Sequence, residues 1–235
     1  MPIKIDYLGH SGFFVETDNT MFLFDYYLGD LSFLKEKSGD KPLFVFSSHS
    51  HDDHFNPEIF SIVNLHQKTI YLLSFDIKGK PGVNEKCDIQ YLDPDKIYEI
   101  EELGTVKTLT STDEGIAFLI KTEGATLFYA GDLHWWDWPG EDPEWLSEQE
   151  IVFKREIGKL TNMTIDFAFV VLDGRLDENY AKGMTHILSE LHPRYVLPMH
   201  FWDDRSVVDR FKELLEVKKF DTIILDTTKE SHWER

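Results

Sequence analysis

Cysteine is almost missing from this chain: Cys87 is the single one in 235 residues. That excludes an internal disulfide framework and any zinc site built on thiolates, and it leaves Cys87 as a small buried apolar side chain. Long apolar runs are missing too. No stretch approaches the 18 or so consecutive apolar residues of a membrane span, and the start, Met1-Pro2-Ile3-Lys4-Ile5-Asp6, lacks the pattern of a signal peptide. The expected location is the cytoplasm. Positive charge is scarce: 24 Lys and Arg stand against 43 Asp and Glu, a net charge of −19. A phosphate backbone or an anionic lipid surface would be repelled. The expected partner is therefore a small molecule, with no nucleic acid and no membrane. There is no linker, repeat or low-complexity segment, so residues 1–235 read as one domain, long enough to bury a substantial core.

What is present is a concentration of metal-binding side chains. The segment Ser47-Ser48-His49-Ser50-His51-Asp52-Asp53-His54 follows the apolar run Leu43-Phe44-Val45-Phe46 and carries a His-X-His-X-Asp-His pattern. Neutral imidazole and carboxylate are the ligands that borderline divalent metals accept. His49 and His51 can converge on one ion, while Asp53 and His54, past the turn, can point at a second.

The rest of the chain alternates short elements. Ile3 to Leu8, Phe13 to Glu16 and Met21 to Phe24 read as an antiparallel meander ending at Asp25, followed by a polar loop from about Tyr27 to Lys41. Asn56-Pro57-Glu58 is a helix start with Asn as N-cap and Pro in the first turn. Strands are expected at Thr69 to Leu73, Ile89 to Leu92, Lys96 to Ile100, Val106 to Leu109, Ile116 to Lys121 and Thr126 to Ala130. Helical spacing of Trp145, Val152, Phe153, Ile157 and Leu160 predicts a helix over 144–160. Ile165 to Leu172 is a continuous apolar strand, buried on both faces. A helix carrying Tyr180, Met184, Ile187, Leu188 and Leu191 follows, then the strand Tyr195 to Pro198, a helix through Val207 and Phe211, and a last strand at Thr222 to Leu225. A β-rich first half and an alternating second half predict an α/β domain with two sheets between helices.

Two further strand ends repeat the chemistry of the first. Tyr129-Ala130-Gly131-Asp132 delivers a carboxylate and Met199-His200 an imidazole, both at carboxyl ends of strands, where open α/β sheets bind ligands. With the histidine motif, this set resembles the metallo-β-lactamase superfamily. Leu8-Gly9-His10-Ser11-Gly12-Phe13, Gly131-Asp132 and Pro198-Met199-His200 resemble, more narrowly, the branch of metal-dependent hydrolases that includes ascorbate-6-phosphate lactonase. The resemblance spans almost the whole chain and implies a four-layer αββα sandwich with one or two divalent ions, zinc foremost and manganese or iron as alternatives. It also implies a ligand set: His49 and His51 on the first metal, Asp53, His54 and His200 on the second, and Asp132 between them. One ligand departs from that pattern. A third histidine for the first metal should follow Val106 to Leu109, but the chain reads Thr110-Ser111-Thr112-Asp113-Glu114-Gly115. Either Asp113 substitutes through oxygen, or the first metal keeps His49, His51 and Asp132 alone.

The expected activity is metal-dependent hydrolysis, with a metal-activated water attacking an ester, lactone, amide or phosphodiester of a small metabolite. Asp132 or Asp52 would pass the proton on. Arg175, after the buried strand, is the choice for holding a substrate carboxylate or phosphate, with ion pairing to Asp173 as its structural alternative. Trp135 and Trp136, with Trp138, would wall the site against water. His134 is a second way to make up for the missing histidine, and His10 and Asp25 would orient ligands. The missing ligand also motivates an alternative, a non-catalytic metal-binding or ligand-sensing member of the same fold. A di-iron redox protein is a third reading. His51 argues against it, since the di-iron members of the superfamily this chain resembles carry a carboxylate there.

Overall fold

The structure is a computed structural model and describes residues 2–37 and 41–235. The polar loop expected from Tyr27 to Lys41 therefore lies in part (38–40) outside the described residues. Strands β1 (Lys4–Gly9), β2 (Gly12–Glu16), β3 (Met21–Phe24), β4 (Leu43–Ser47), β5 (Thr69–Ser74) and β6 (Ile89–Leu92) build the first sheet. Strands β7 (Ile97–Ile100), β8 (Gly104–Thr110), β9 (Ile116–Thr122), β10 (Ala125–Tyr129), β11 (Phe167–Val171), β12 (Tyr195–Met199) and β13 (Ile223–Ile224) build the second, in reverse spatial order. The helices are α1 (Pro143–Gly158), α2 (Lys182–Leu191) and α3 (Ser206–Glu213).

A strand that the sequence pattern does not reveal, β14 (His232–Glu234), pairs antiparallel with β1 and completes the first sheet at seven strands. Three residues are too few to show a period, and the partner lies at the other end of the chain. The helix expected after Asn56 is a 3₁₀ helix, Pro57–Asn64, with Asn56 accepting from the Glu58 N–H as its cap.

Period-2 alternation divides the first sheet between two cores. Phe13, Val15, Phe22, Phe24, Phe44 and Phe46 face the second sheet, while Phe14, Met21, Leu23, Leu43 and Val45 face outward under the Pro57–Asn64 turn. Between the sheets, ring centroids lie 4.8 Å apart for Phe13 and Phe169, 4.7 Å for Phe24 and Tyr129, and 5.1 Å for Phe46 and Phe118. The apolar stripes of α1, α2 and α3 cover the other face of the second sheet, where β11 is buried throughout, as its apolar run predicts. Cys87 is half-buried against the outer core rather than enclosed.

Strands β3, β4, β10, β11 and β12 all end at one edge of the sandwich. Two glycines let the loops there close on the histidine segment. An added Cβ at Gly115 (φ +71°) would sit 2.1 Å from the Ser48 carbonyl oxygen, and one at Gly131 (φ +50°) 2.6 Å from Ser48 Cβ. His10, Asp25, His200 and Trp202 hold left-handed backbone at this same edge. Such conformations persist only where the surroundings enforce them, and they gather at functional sites.

Candidate metal centre

Each ligand candidate is delivered by the end of an element. The β1–β2 turn brings His10, β4 brings His49 to His54, the β8–β9 loop brings Asp113, β10 brings Asp132 and β12 brings His200. They form two groups whose donor atoms lie within 4.8 Å of one another: His10, Asp53, His54 and His200, and His49, His51, Asp113 and Asp132. Asp132 stands between them. Its Oδ1 is 3.3 Å from His54 Nε2 and 3.6 Å from His200 Nε2, and its Oδ2 is 3.8 Å from His49 Nε2. Asp53 Oδ2 lies 3.7 Å from His54 Nε2 and 3.8 Å from His200 Nε2. A tetrahedral ion with bonds of about 2.1 Å separates its ligand atoms by about 3.4 Å. The group around His54 and His200 therefore fits a divalent cation.

Two observations strengthen that fit. His54 Nε2 and Asp132 Oδ1 are buried with no hydrogen-bond partner among the described residues, although a buried polar atom is ordinarily paired. The far nitrogens of both histidines are also fixed. His54 Nδ1 donates to Asp25 Oδ2 (2.6 Å) and His200 Nδ1 to Asp173 Oδ2 (3.1 Å). A carboxylate only accepts, so each proton stays on Nδ1 and each Nε2 is the atom to yield to a cation, the arrangement that orients metal-binding histidines. Asp25 reaches the other group as well. It accepts from the Ser48 N–H (2.7 Å) and Oγ–H (2.6 Å), and Ser48 Oγ in turn accepts from His49 Nδ1 (3.0 Å). His10 Nε2 is 3.0 Å from Asp53 Oδ2 and holds that carboxylate in place.

The two groups differ in environment. His54 and His200 are buried, whereas the side chains of His51 and Asp113 are 44% and 46% exposed. Burial alone would lower the His54 pKa, but the Asp132 and Asp25 carboxylates overcome it and raise it to about 9. Burial and the neighbouring His54 lower His49 to about 4. Burial opposes ionisation of Asp132, yet His200, His54 and His49 hold it at about 2. Asp53 and Asp173 are likewise depressed against burial, by the His10 bond and by the His200 and Arg175 bonds respectively.

His134 belongs to neither group, which removes it as a substitute for the missing histidine. Its ring is fully buried against Gly183 and Trp136, with both nitrogens unpaired among the described residues. Burial lowers its pKa to about 4. A group whose folded pKa lies below its unfolded value of about 6.5 contributes stability above pH 6.5 that is lost as pH falls through 4. In the metal-free chain His134→Leu should therefore remove about 2–3 kcal/mol of the stability lost between pH 7.5 and 4.5. Urea unfolding at the two pH values measures it, and equal losses in variant and parent would refute the buried neutral imidazole.

A cavity of about 600 Å³ opens over the two groups. Arg175 lines it with its guanidinium bonded to Asp173, so the binding and structural roles expected for it meet in one side chain. Trp136 and Trp138 line it too. Trp135 does not. Its ring turns to the opposite side, against Phe153 and His186, with Lys154 Nζ 4.4 Å from its centroid. In this irregular segment neighbouring side chains leave on different sides, and no periodicity tells which. Asp52 is exposed and does not line the cavity, so the structure does not bring it to the reacting centre. Two indoles absent from the expected site are present. Trp202 follows His200 by two residues, a spacing that is the only sequence signal for it. Trp145, expected on the buried stripe of α1, is 37% exposed and lines the cavity instead.

Comparison with known proteins gives the chain a family and a fold. The family model described as "Beta-lactamase superfamily domain" matches residues 4–138. A UPF0173 metal-dependent hydrolase of Alkaliphilus metalliredigens is 30% identical over 147 residues, 55% of this chain and 63% of that protein, so the match spans under two thirds of its length. A second UPF0173 metal-dependent hydrolase, from Opitutus terrae, is 27% identical over 216 residues, 85% of each chain. In three dimensions the solved structure of a metallo hydrolase from the archaeon Ignicoccus hospitalis superposes with a TM-score of 0.66 at 16% identity, covering 100% of this chain and 99% of that one. That likeness, with the two layered sheets, establishes the αββα sandwich.

Proposed function

The chain belongs to the metallo-β-lactamase superfamily, and from that premise we propose that it is a metal-dependent hydrolase of a small-molecule ester, lactone, amide or phosphodiester. The observation that carries the proposal is the pair of buried histidines, each locked by its own carboxylate, converging on the orphaned Asp132 Oδ1. His54, His200, Asp53 and Asp132 would hold the principal ion, and His49, His51 and Asp113 with Asp132 a second, more exposed one. Two imidazoles with carboxylates suit zinc, and the added oxygen of Asp113 admits manganese or iron. A divalent cation held there supplies Lewis acidity, acidifying water and polarising the oxygen of the scissile group.

This chain's own residues do the remainder. Asp25 and Asp173 keep the imidazoles in the binding tautomer, and His10 steadies Asp53. Asp132, whose Oδ2 faces the more exposed group, is the candidate to accept the water proton, which passes finally to the leaving oxygen, or to the leaving nitrogen of an amide. The indole wall excludes bulk water from that exchange. We place the activity in one domain, 1–235, in the cytoplasm. Within the superfamily, the Leu8 to Phe13 and Pro198 to His200 segments favour the branch that includes ascorbate-6-phosphate lactonase.

The test strips the chain with a chelator, reloads it with zinc, manganese or iron(II), and measures hydrolysis of p-nitrophenyl esters, lactones and bis-p-nitrophenyl phosphate alongside elemental analysis. Turnover should follow the ion. Tight binding of an ion with no turnover on any of these substrates would overturn the hydrolase and support the ligand-sensing alternative, which the Asp113 substitution favours.

A further inference from the structure

Four indoles and one guanidinium line the cavity together with the carboxylates. Trp136 and Trp202 flank His200, with ring centroids 5.8 and 5.9 Å from its own. Trp138 lies parallel to Trp136 at 5.8 Å, and Trp145 lines the same cavity. Trp202 is 44% exposed and Trp145 37%, although burial of an indole is the ordinary outcome of folding. Exposed indole faces converging within one side chain's width of a metal-binding histidine form a surface for a flat apolar group.

An indole wall of this kind also accepts cations, but here that position is filled. The Arg175 guanidinium carbon lies 5.5 Å from the Trp138 ring and 5.2 Å from the Trp202 ring. Its Nε and one terminal nitrogen are spent on Asp173, the same carboxylate that orients His200, while the side chain stays 49% exposed. Arg175 is the one arginine or lysine lining the cavity among the described residues. A second cation is repelled from that place, and an anion is drawn to the free edge of the guanidinium.

We propose that the substrate is an anion bearing a planar aromatic group next to the bond that is cleaved, the ring lying on Trp145, the exposed indole of the cavity that carries no guanidinium, and the negative charge on Arg175. This rests on the hydrolase reading above and narrows it to one substrate class. The anion is either a phosphoryl group or a carboxylate.

Calorimetric titration of the zinc-loaded chain with inert probes tests it without turnover. Phenylphosphonate or benzoate should bind at least about tenfold more tightly than propylphosphonate or butyrate of equal charge, and phenyltrimethylammonium should not compete. A preference for phenylphosphonate assigns a phosphoryl anion, and one for benzoate a carboxylate. Trp145→Leu should bring the aromatic-to-aliphatic ratio toward one. Arg175→Gln should weaken both anion series about tenfold while keeping the ratio, and Trp135→Phe, outside the cavity, should change neither. Equal binding of phenyl and propyl probes, or tighter binding of the aromatic cation, overturns the assignment. Those results leave metal-dependent turnover untouched, whereas loss of turnover with the aromatic preference intact would refute the hydrolase alone.

Discussion

Replacing His54 with alanine is expected to lower metal-dependent turnover by about a thousandfold or more, the equivalent of about 4 kcal/mol of lost transition-state stabilisation. The size follows from where His54 sits. It is fully buried, it is the ligand candidate nearest to Asp132, and its Nδ1 is already committed to Asp25. No other side chain can swing into its place, because the His200 ring is fixed by Asp173 and Asp53 is held by His10. His51→Ala offers the contrast. That ring is 44% exposed and, among the described residues, pairs with the solvent-facing Asp113 and Glu114 beyond its contact with His49, so its loss should cost far less. Elemental analysis and kcat measured on both variants check the ordering. If His51→Ala proves as damaging as His54→Ala, the buried group is not the principal ion site.

The legible parts of this molecule are those whose signal is local. His-X-His-X-Asp-His needs six consecutive residues and the strands before it show their period of two, so the first loop and the sheet that carries it are readable from the chain itself. Asp132 and His200 are weaker singly and become readable because each ends a strand, a rule of α/β sheets rather than of their own neighbours. Residues that act across the fold stay hidden. Asp25 is readable as an orienting residue, but which ligand it orients is not, and Asp173 looks like a partner of Arg175 alone until tertiary contact sets it behind His200. Trp145 matches the helical stripe of α1, yet the buried stripe begins at Phe153, about two turns later, because the start of the helix overhangs the cavity. Trp135 and Trp136 are indistinguishable as a dipeptide, and only the packing of α1 and α2 sends one to each side.

Asp25→Asn is the sharper test, because it changes protons and almost no volume. Asp25 is fully buried and serves both ligand groups, His54 directly and His49 through Ser48. An amide at this position keeps an oxygen for the Ser48 N–H but presents N–H hydrogens where the other carboxylate oxygen accepted. His54 Nδ1 must then accept, and its single neutral-state proton moves to Nε2, the atom that should face the cation. Ser48 Oγ, now accepting from the amide, turns its hydrogen toward His49 Nδ1 and drives the same tautomer change there. Metal affinity should fall about 100-fold, the upper end of what the loss of one orienting partner costs. The metal-free fold should lose less stability than in Asp25→Ala, since the amide still offers a partner to the Ser48 N–H, the Ser48 hydroxyl and His54 Nδ1. Asp25→Ala differs in kind. It leaves the Ser48 N–H and His54 Nδ1–H buried and unpaired, and should destabilise the metal-free chain by about 3 kcal/mol or more. Competition with a chromophoric chelator reads the first quantity and urea unfolding the second. Undiminished metal affinity in Asp25→Asn would mean that this carboxylate holds the loop together without setting the imidazole protons.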